Sequence, residues 1–299
     1  MTTHRFSPQV FHSTLGAPAP VLRIADGDTV MTETLDAHGF DKTMVKRGGD
    51  TNPMTGPFFV EGAEPGDVLA VEIIRIGMNR STGWTRSGLA WHVVDPALVR
   101  DMPARDQIIW DIGGNGVSLQ EPTAGLKNWT VPLDPMIGCF GVAPADGEAI
   151  STATSGPHGG NMDYNLFRMG TTAMFPVAVP GALFFLGDVH AAQGDGEIAG
   201  TGIETSAEVE FRVRIIKNKP ISWPRGETAD AIFTVGNARP LEQGLQHATS
   251  EMLRWLESDY GLSRVSASHI LGMAVRYDVA NVFNPAFSVA CRVEKKWLP

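Results

Sequence analysis

Apolar and charged side chains alternate strictly between residues 206 and 216. Five apolar residues occupy every second position and four charged residues lie between them: Ala207, Val209, Phe211, Val213 and Ile215, with Glu208, Glu210, Arg212 and Arg214. A strand with this period buries one face and exposes the other. A shorter run of the same kind follows at residues 231–235, and residues 67–76 combine partial alternation with β-branched side chains. These stretches predict β-strands.

The first half of the chain continues the β pattern. Residues 20–24 and 29–33 flank the turn sequence Asp26-Gly27-Asp28, which is a hairpin-like signal. Residues 107–112 and 127–131 are further strand candidates. The 33 glycines and 20 prolines among 299 residues favour many turns over a helical bundle.

Helical periodicity is confined to the C-terminal third of the chain. Apolar residues recur at three- to four-residue spacing over residues 241–260, and Gly261 fits a helix C-terminus. A second helix is predicted over residues 263–275, before strands at 276–283 and 287–293. We therefore expect a mainly β protein with an α+β part. It divides into a β-sandwich-like part over residues 1–145 and a mixed α+β part over residues 146–299, with about two helices near the C-terminus.

The charge, the apolar runs and the cysteines of the chain limit which partners and which cellular compartment we expect. The formal net charge is −9 and the basic residues form no patch, so we expect no nucleic-acid partner. No apolar run approaches the ~20 residues of a membrane-spanning helix, and the first residues lack a signal-peptide pattern. Cys139 and Cys291 are far apart in sequence, which suits a reducing compartment. We therefore expect a cytoplasmic protein with no membrane partner.

The densest group of chemically active residues follows an apolar stretch, within residues 187–201. Asp188 and His190 are two positions apart, so they share a face if the strand extends to His190. Such a pair can bind a divalent metal, or the aspartate can orient the imidazole. Glycines on both sides of Asp195 allow its carboxylate to bend back toward the same point. Further polar residues of this group are Gln193, Glu197 and Glu204.

Two other groups of polar residues accompany the first. One is a glycine-rich loop that contains His158, Asn161 and Asp163. One histidine and one acid from each of the two glycine-rich segments would give a mixed nitrogen and oxygen metal site. The other is a Gly-Pro turn near Asn52 and Thr55, which are candidates for binding a substrate.

A purely structural origin competes with each of these interpretations. Acids in a glycine-rich turn often cap backbone amides, and His158 fits a structural hydrogen-bonding role equally well. For Asn52 and Thr55, a turn that leads into a strand is at least as good an explanation. The number of polar groups within residues 187–201 favours a functional site there.

Four stretches of the sequence together resemble the acetamidase/formamidase family. They are Thr55-Gly-Pro57 with residues 60–67, Met136-Ile-Gly138 with residues 141–144, the loop at residues 158–163, and residues 187–197. The matches keep their order and cover nearly the whole chain. The resemblance implies a jelly-roll-like β-sandwich followed by an α+β part, with a metal at the site and a homo-oligomeric assembly. It also implies hydrolysis of a small-molecule linear amide, such as formamide or acetamide, to ammonia and a carboxylic acid.

A metal suits this reaction because it polarises the amide carbonyl and acidifies bound water toward a pKa of ~7. We expect three or four ligands from one pool of residues: His158, Asp163, Asp188, His190 and Asp195. The histidines in this pool favour zinc, although the number of acids also suits calcium.

The remaining polar residues are assigned to proton transfer and to substrate binding. Glu197 is the candidate general base, and Glu204 is its rival. Asn161 and Gln193 are candidates for hydrogen bonds to the amide or to the developing oxyanion. Most of these residues lie in the predicted α+β part.

Two alternatives remain open. The same site could act on a carbamate, a urea-like compound or a larger amide. The chain could also be a non-catalytic β-sandwich module that binds a metal or a small ligand. Release of ammonia from a panel of amides separates these functions.

Overall fold

The alternating stretch after residue 206 forms a strand, Ala207–Ile216, whose inward-facing apolar side chains are buried. The structure, a computed structural model, describes residues 1–114 and 116–299. Its helices are α1 (Pro96–Val99), α2 (Leu241–Tyr260) and α3 (Arg264–Ala274). Its strands are β1 (Thr3–Phe6), β2 (Thr14–Leu15), β3 (Leu22–Ile24), β4 (Thr29–Glu33), β5 (Thr55–Val60), β6 (Val68–Met78), β7 (Thr82–Arg86), β8 (Gln107–Gly113), β9 (Gly116–Leu119), β10 (Thr130–Pro132), β11 (Met136–Val142), β12 (Ile150–Ser151), β13 (Ser155–Gly156), β14 (Gly159–Asn161), β15 (Thr172–Pro176), β16 (Phe184–His190), β17 (Glu204–Thr205), β18 (Ala207–Ile216), β19 (Arg225–Glu227), β20 (Ala231–Ala238), β21 (Arg276–Asn281) and β22 (Phe287–Glu294).

The first of two large sheets has the strand order β1-β4-β18-β6-β15-β19-β20-β22-β21. Its neighbouring strands are antiparallel, except for the parallel pair β1 and β4. The longest pairing joins β6 and β18, from Ala207 opposite Met78 to Ile216 opposite Val68. This sheet therefore combines strands from the beginning, the middle and the end of the chain.

The second sheet has the order β10-β9-β8-β7-β17-β16-β11-β14-β13, and β5 joins it by pairing with β16 and β3. β16 contacts β11, β17 and β5, and all of its residues are buried. A strand buried on both faces carries a continuous apolar run rather than an alternating one, as residues 184–186 do. The polar residues at its end, Asp188 and His190, therefore lie in the interior.

An aromatic core fills the space between the two sheets. Phe58 and Phe184 of the second sheet contact Phe211 of the first, with ring centroids 5.4 and 5.2 Å apart. All three side chains are buried, and the rings meet edge to face, as aromatic pairs prefer. The sheets thus form a sandwich that is not closed into a barrel, and the predicted fold class is confirmed.

The two longer helices cover one end of the first sheet. α2 has the predicted bounds and ends at Gly261, whose φ of 64° is the left-handed conformation that glycine adopts readily. α3 begins after Ser263, whose hydroxyl accepts a hydrogen bond from the backbone N–H of Ser266. Apolar residues of both helices pack against β20 and β22.

Two local predictions are wrong. The stretches around β3 and β4 do not form a hairpin, because β3 pairs with β5 in the second sheet and β4 pairs with β1 and β18 in the first. The turn between them carries the chain from one sheet to the other, and Asp28 stabilises it by accepting a hydrogen bond from the backbone N–H of Ala25. The strand predicted at residues 127–131 is Thr130–Pro132, because turns occupy the preceding residues.

Strands from both sides of residue 145 share each large sheet. The division into residues 1–145 and 146–299 stays a prediction. None of the helices in the described ranges has the length and apolar character that a membrane crossing requires.

Candidate active site

The candidate site lies where β16 ends. Nε2 of the buried His190 lies 3.5 Å from Oδ1 of Asp188 and 3.1 Å from Oε1 of Glu204. β17 pairs with the end of β16, so that Glu204 lies opposite His190 in register. The structure therefore brings together Asp188 and His190, as the strand period predicted, and the neighbouring strand adds Glu204.

Two further acids reach the same point from loops. Asp163 follows β14, and Glu197 ends a short 3-10 turn, Asp195–Glu197. Ligand atoms of Asp163, His190 and Glu197 lie within 4.8 Å of one another, and the same holds for Asp188, His190 and Glu204. His190 is thus shared by two groups of carboxylates. We call these four acids and His190 the acidic cluster.

Three of these acids have a left-handed backbone conformation. The φ angle is 46° at Asp163, 55° at Asp188 and 45° at Glu197. Such a conformation costs a residue with a side chain about 1–3 kcal/mol, and it occurs most often at functional sites. The surrounding structure therefore holds these carboxylates where local backbone preferences would not place them.

Two glycines leave the space that the acidic cluster occupies. A Cβ atom at Gly138 would lie 2.4 Å from Oδ1 of Asp163, and one at Gly202 would lie 2.4 Å from Cγ of His190. These distances are too short for any side chain. β11 and the segment before β17 can therefore approach the cluster this closely only with glycine at both positions.

Gln193 fixes the orientation of the His190 ring. Its Nε2 donates to the backbone oxygen of Asp163 at 2.6 Å, so its Oε1 is the atom that lies 2.8 Å from Nδ1 of His190. An amide oxygen only accepts, so Nδ1 carries the hydrogen. Nε2 is then the ring nitrogen that faces the carboxylates of Asp188 and Glu204. The structure thus places Gln193 behind the imidazole, although the sequence suggested contact with a substrate.

Two asparagines that the sequence analysis missed hold the acids in place. Asn281 donates from Nδ2 to Oδ2 of Asp163 at 2.9 Å and also to Oε2 of Glu197. Asn284 donates to the same oxygen of Asp163 at 2.8 Å. Oδ1 of Asn281 accepts from the backbone N–H groups of Phe283 and Asn284, which fixes the loop after β21. The available signal was a pair of asparagines at the end of a predicted strand.

Burial and mutual repulsion raise the pKa values of the carboxyl groups. Burial, and then the charge of Asp188, raises the pKa of Asp163 to about 7. Burial raises the pKa of Glu204 to about 8; the charge of His190 opposes this shift and that of Asp188 adds to it. Burial, followed by the charge of Asp163, also raises the pKa of Glu197.

His190 shifts in the direction that its neighbours dictate. Burial by itself lowers the pKa of the imidazole, but the charges of Glu204 and Asp188 outweigh burial and raise this pKa well above its usual value. The raised pKa values of His190 and of the carboxyl groups mean that the cluster, without a bound cation, retains protons at neutral pH.

Several buried atoms at the site have no hydrogen-bond partner among residues 1–114 and 116–299. They are Oδ1 of Asn161, Oδ1 of Asp163, Oδ1 of Asp188, Nε2 of His190 and Oε2 of Glu204. Buried polar atoms in folded proteins are nearly always paired. Carboxylate oxygens and an imidazole nitrogen are ligands of divalent cations. The residues present therefore fit such an ion.

A pocket of about 300 Å³ opens onto the acidic cluster. Asn52 lines this pocket and donates from Nδ2 to Oδ2 of Asp188 at 2.9 Å. A small molecule in the pocket can therefore reach the carboxylates. The other lining residues are the polar Asn161, Asp188, Glu197, Glu204, Asp50, Thr51, Thr201 and Asn284, the basic or aromatic His38, Trp84, Arg86, Arg105 and Phe283, and the small or apolar Ala37, Ala153, Gly200 and Pro285.

Thr55 and His158, which the sequence proposed as site residues, lie away from the cluster. The hydroxyl of Thr55 donates to the backbone oxygen of Glu33 at 2.8 Å, so it holds β5 to the end of β4. His158 lines a different cavity, of about 320 Å³, with apolar neighbours such as Ile150 and Pro176. Burial lowers the pKa of His158 to about 4, so the ring is neutral.

Asp195 also lies outside the cluster. Its side chain is exposed and accepts a hydrogen bond from Nδ2 of Asn165 at 2.7 Å. Gly196, with a φ of 80°, turns the chain so that the buried Glu197 faces the cluster instead. The prediction that the flanking glycines bend the carboxylate of Asp195 back toward the cluster is therefore wrong, because the turn at Gly196 directs Glu197 inward and leaves Asp195 exposed.

The fold and the site define a mainly β protein with a buried acid and imidazole cluster reached through a pocket. The model of the acetamidase/formamidase family matches residues 18–147 and 145–250. The chain is 28% identical over 301 residues to an acetamidase of Mycolicibacterium smegmatis, which covers 82% of this chain and 69% of that protein. A formamidase of Methylophilus methylotrophus is 28% identical over 210 residues, or 55% of this chain and 52% of that one.

Solved structures agree with the sequence relatives. The crystal structure of an acetamidase from Bacillus halodurans superposes with a TM-score of 0.84 at 32% identity, and the match covers 98% of each chain. The chain therefore belongs to the acetamidase/formamidase family, a family of hydrolases that act on linear amides. The resemblance predicted from the sequence motifs is confirmed.

Proposed function

We propose that this protein hydrolyses small linear amides, such as formamide or acetamide, to ammonia and a carboxylate. The observation that carries this proposal is the convergence of four buried acids on the ring of His190 beside a pocket. Membership of the acetamidase/formamidase family supports the same reaction. The names of the two curated relatives, acetamidase and formamidase, support the class of substrate.

We also propose that the acidic cluster holds a divalent metal ion. Asp163, Asp188, His190 and Glu204 would supply its ligands, because each has a buried atom without a hydrogen-bond partner in the described part of the chain. The imidazole favours zinc, whereas calcium takes oxygen ligands. A bound divalent ion supplies positive charge that polarises the amide carbonyl and lowers the pKa of water.

Glu197 is the proposed general base, with Glu204 as its rival. Both line the pocket, and burial raises the pKa of both, so each carboxyl group holds a proton more tightly than an exposed glutamate does. Asn281 holds Oε2 of Glu197, and Oε1 can accept a proton from the attacking water and pass it to the departing nitrogen. Glu204 instead faces Nε2 of His190, which suits a ligand.

Asn161 is the proposed contact for the amide group of the substrate. Its buried Oδ1 lacks a partner among the residues that the structure describes, and its side chain lines the pocket. This oxygen can accept a hydrogen bond from the N–H of the amide, which orients the carbonyl carbon for attack. Nδ2 of Asn52 is engaged by Asp188, so we assign Asn52 to hold that carboxylate.

Ammonia release by the purified protein tests the reaction. We expect Glu197→Gln to lower kcat/KM for acetamide by about 10²- to 10⁴-fold and to retain the metal, because proton transfer alone is removed. Glu204→Gln should instead lower the metal content. The control is Glu61→Gln, since Glu61 is an exposed acid with a side chain that is 56% exposed.

The outcome of this experiment also decides between the alternatives. If Glu197→Gln loses metal and Glu204→Gln keeps it, the two roles are exchanged. If no amide in the panel releases ammonia, amide hydrolysis is refuted, and a non-catalytic binding module is the better account.

We further propose that the chain forms a homo-oligomer in the cytoplasm. The assembly rests on the family resemblance, and the compartment is supported by Cys139 and Cys291, which are both free. Light scattering after size-exclusion chromatography measures the molar mass in solution. A mass equal to that of one chain would contradict the proposed homo-oligomer.

A further inference from the structure

The pocket beside the acidic cluster is larger than formamide or acetamide requires. Its volume is about 300 Å³, at the lower end of the ~300–1,000 Å³ found for drug-sized ligands. A water molecule occupies about 30 Å³ in the liquid, so an amide as small as acetamide leaves most of this space unfilled. The remaining walls can therefore bind a second part of a larger substrate.

Two arginines line the pocket, and each lies against an aromatic ring that lines it too. The guanidinium carbon of Arg105 is 4.9 Å from the ring centroid of Phe283, and that of Arg86 is 5.6 Å from the ring of Trp84. Cations are held over aromatic faces at such distances. The wall of the pocket thus combines apolar rings with fixed positive charge.

Neither guanidinium is paired with a carboxylate of the described residues. Within residues 1–114 and 116–299, no acid forms an ion pair with Arg86 or Arg105. Arg105 donates to the backbone oxygens of Gly88 and Ala199, at 2.7 and 2.6 Å, and uses two of its five N–H groups in doing so. Its position is therefore fixed, and N–H groups remain for a ligand.

The acids around these arginines are committed elsewhere. Asp50 lines the same pocket and pairs with Lys46, and Glu197 belongs to the acidic cluster. Burial, and then the charge of Arg86, lowers the pKa of Arg105, while Glu197 opposes this shift. The two guanidinium groups therefore repel each other. A carboxylate between them would relieve this repulsion and gain charge-assisted hydrogen bonds.

We propose that the preferred substrate is a linear amide whose far end carries a carboxylate, the monoamide of a short dicarboxylic acid. Arg86 and Arg105 bind the carboxylate, and Trp84 and Phe283 contact the methylene groups between the two ends. The amide end lies at the acidic cluster. This inference rests on the proposed amide hydrolysis and extends it to a class of substrate.

The test compares succinamate with succinamide, which has nearly the same shape but no charge. We expect kcat/KM for ammonia release to be at least about tenfold higher for succinamate, after a factor of two for the two amides of succinamide, because charge-assisted hydrogen bonds bind the carboxylate. The preference should shrink as ionic strength rises. Calorimetry measures the dissociation constants of both compounds in parallel.

Variants assign the preference to the arginines. Arg105→Gln and Arg86→Gln should each reduce the ratio of the two kcat/KM values, mainly through KM for succinamate. Arg105→Lys should retain part of the preference, because it keeps the charge but loses the planar fork of donors. The control is Arg214→Gln, since Arg214 is exposed on β18, and it should leave the ratio unchanged.

The outcomes separate this inference from the proposed reaction. If both compounds release ammonia with equal kcat/KM and bind equally, the carboxylate site is refuted while amide hydrolysis stands. If neither releases ammonia but succinamate binds more tightly than succinamide and Arg105→Gln removes the difference, the carboxylate site is supported and the reaction is refuted. A preference that survives in both arginine variants would overturn the assignment to Arg86 and Arg105.

Discussion

At the helical end of the molecule, the fully buried carboxylate of Glu251 accepts hydrogen bonds from two guanidinium groups. Arg225 donates to its Oε1 at 2.8 and 2.6 Å, and Arg254 donates to its Oε2 at 3.0 and 2.8 Å. In the acidic cluster, four buried carboxylates share one imidazole and the amide groups of a few asparagines. Both regions bury acids, but only the first surrounds its acid with fixed positive charge.

This difference in neighbouring positive charge indicates that Glu251 stabilises the fold, whereas the acids of the cluster suit the binding of a ligand. A buried charge is costly unless it is paired and hydrogen bonded. Glu251 meets this condition within the chain, and its neighbours tie α2 to β19. Burial and the charge of Asp188 raise the pKa values of Asp163 and Glu204. These two acids therefore avoid an unpaired buried charge by retaining protons. A divalent ion would supply the positive charge that the cluster lacks.

The largest expected effect is on activity, from His190→Ala. The imidazole is the group that both sets of carboxylates share, so its loss removes a proposed ligand and the positive partner of Glu204. We expect kcat/KM for acetamide to fall by about 10³-fold or more, while circular dichroism shows a retained fold. Full activity in this variant would place the chemistry elsewhere in the molecule.

The second prediction concerns Glu251→Gln, which breaks the neutralised pair. We expect the free energy of unfolding to fall by about 3–5 kcal/mol, because the guanidinium of Arg225 stays buried without its partner. Activity per folded molecule should not change. Denaturant unfolding measures the loss, with Glu242→Gln as a control on the exposed face of α2. If Glu251→Gln and Glu242→Gln lose the same free energy of unfolding, the buried ion pairs of Glu251 do not stabilise the fold, and the contrast with the acidic cluster is refuted.

The third prediction is a pH dependence in the metal-free protein. In the folded protein the pKa values of Asp163 and Glu204 are about 7 and about 8, above the ordinary values of 3.8 and 4.5 for these side chains. The folded state therefore binds more protons than the unfolded state in this range. Stability is then lost as pH rises from about 4 to 8. The raised pKa of His190 acts in the same direction, because its stabilising contribution is fully present below the unfolded pKa and is lost as pH rises through the higher folded pKa.

Asp163→Asn provides the matched variant for this measurement. The amide is uncharged, so the metal-free variant should be more stable than the parent at pH 8, by on the order of 2 kcal/mol, and its pH slope should be shallower. Adding zinc should stabilise the parent more than the variant. If thermal unfolding of the parent shows stability that rises over this pH range, the assigned repulsion within the cluster is wrong.

The smallest expected effect is from Gln193→Ala. Gln193 holds Nδ1 of His190, so its loss frees the ring to rotate. Removing such a partner of a metal-binding histidine weakens metal affinity by about 10- to 100-fold. Zinc titration monitored by calorimetry measures this change, and Gln193→Glu should restore part of the affinity, because a carboxylate also accepts from Nδ1. Unchanged affinity would show that the ring is held without Gln193.

The sequence predicted the parts of the site that local patterns encode. The two-residue period of a strand predicted that Asp188 and His190 lie together, although the left-handed φ of 55° at Asp188 departs from a regular strand. The helices followed from their apolar spacing. His158 was assigned to the cluster because it shares a glycine-rich loop with Asp163, and Asp195 because glycines flank it within residues 187–201. Backbone turns at such glycines decide which neighbour faces the interior, and no periodicity encodes that choice.

Asn281 and Asn284 show what local patterns omit. Asn281 lies 84 positions after Glu197 and 118 after Asp163, and it meets them only because β21 and the 3-10 turn are adjacent in the folded chain. The hairpin predicted around Asp28 failed for a related reason. Its two strands are locally suited to pairing, but each finds a partner from a distant part of the chain.

The most direct test of the central claim is an anomalous-difference map recorded at the zinc edge, from crystals of the protein supplied with zinc. The account predicts a peak at ligand distance from Nε2 of His190 and from carboxylate oxygens of the acidic cluster, in a protein whose amide hydrolysis is lost on chelation and restored by zinc. A map without a peak at the cluster, from protein that hydrolyses amides after chelation, would contradict it.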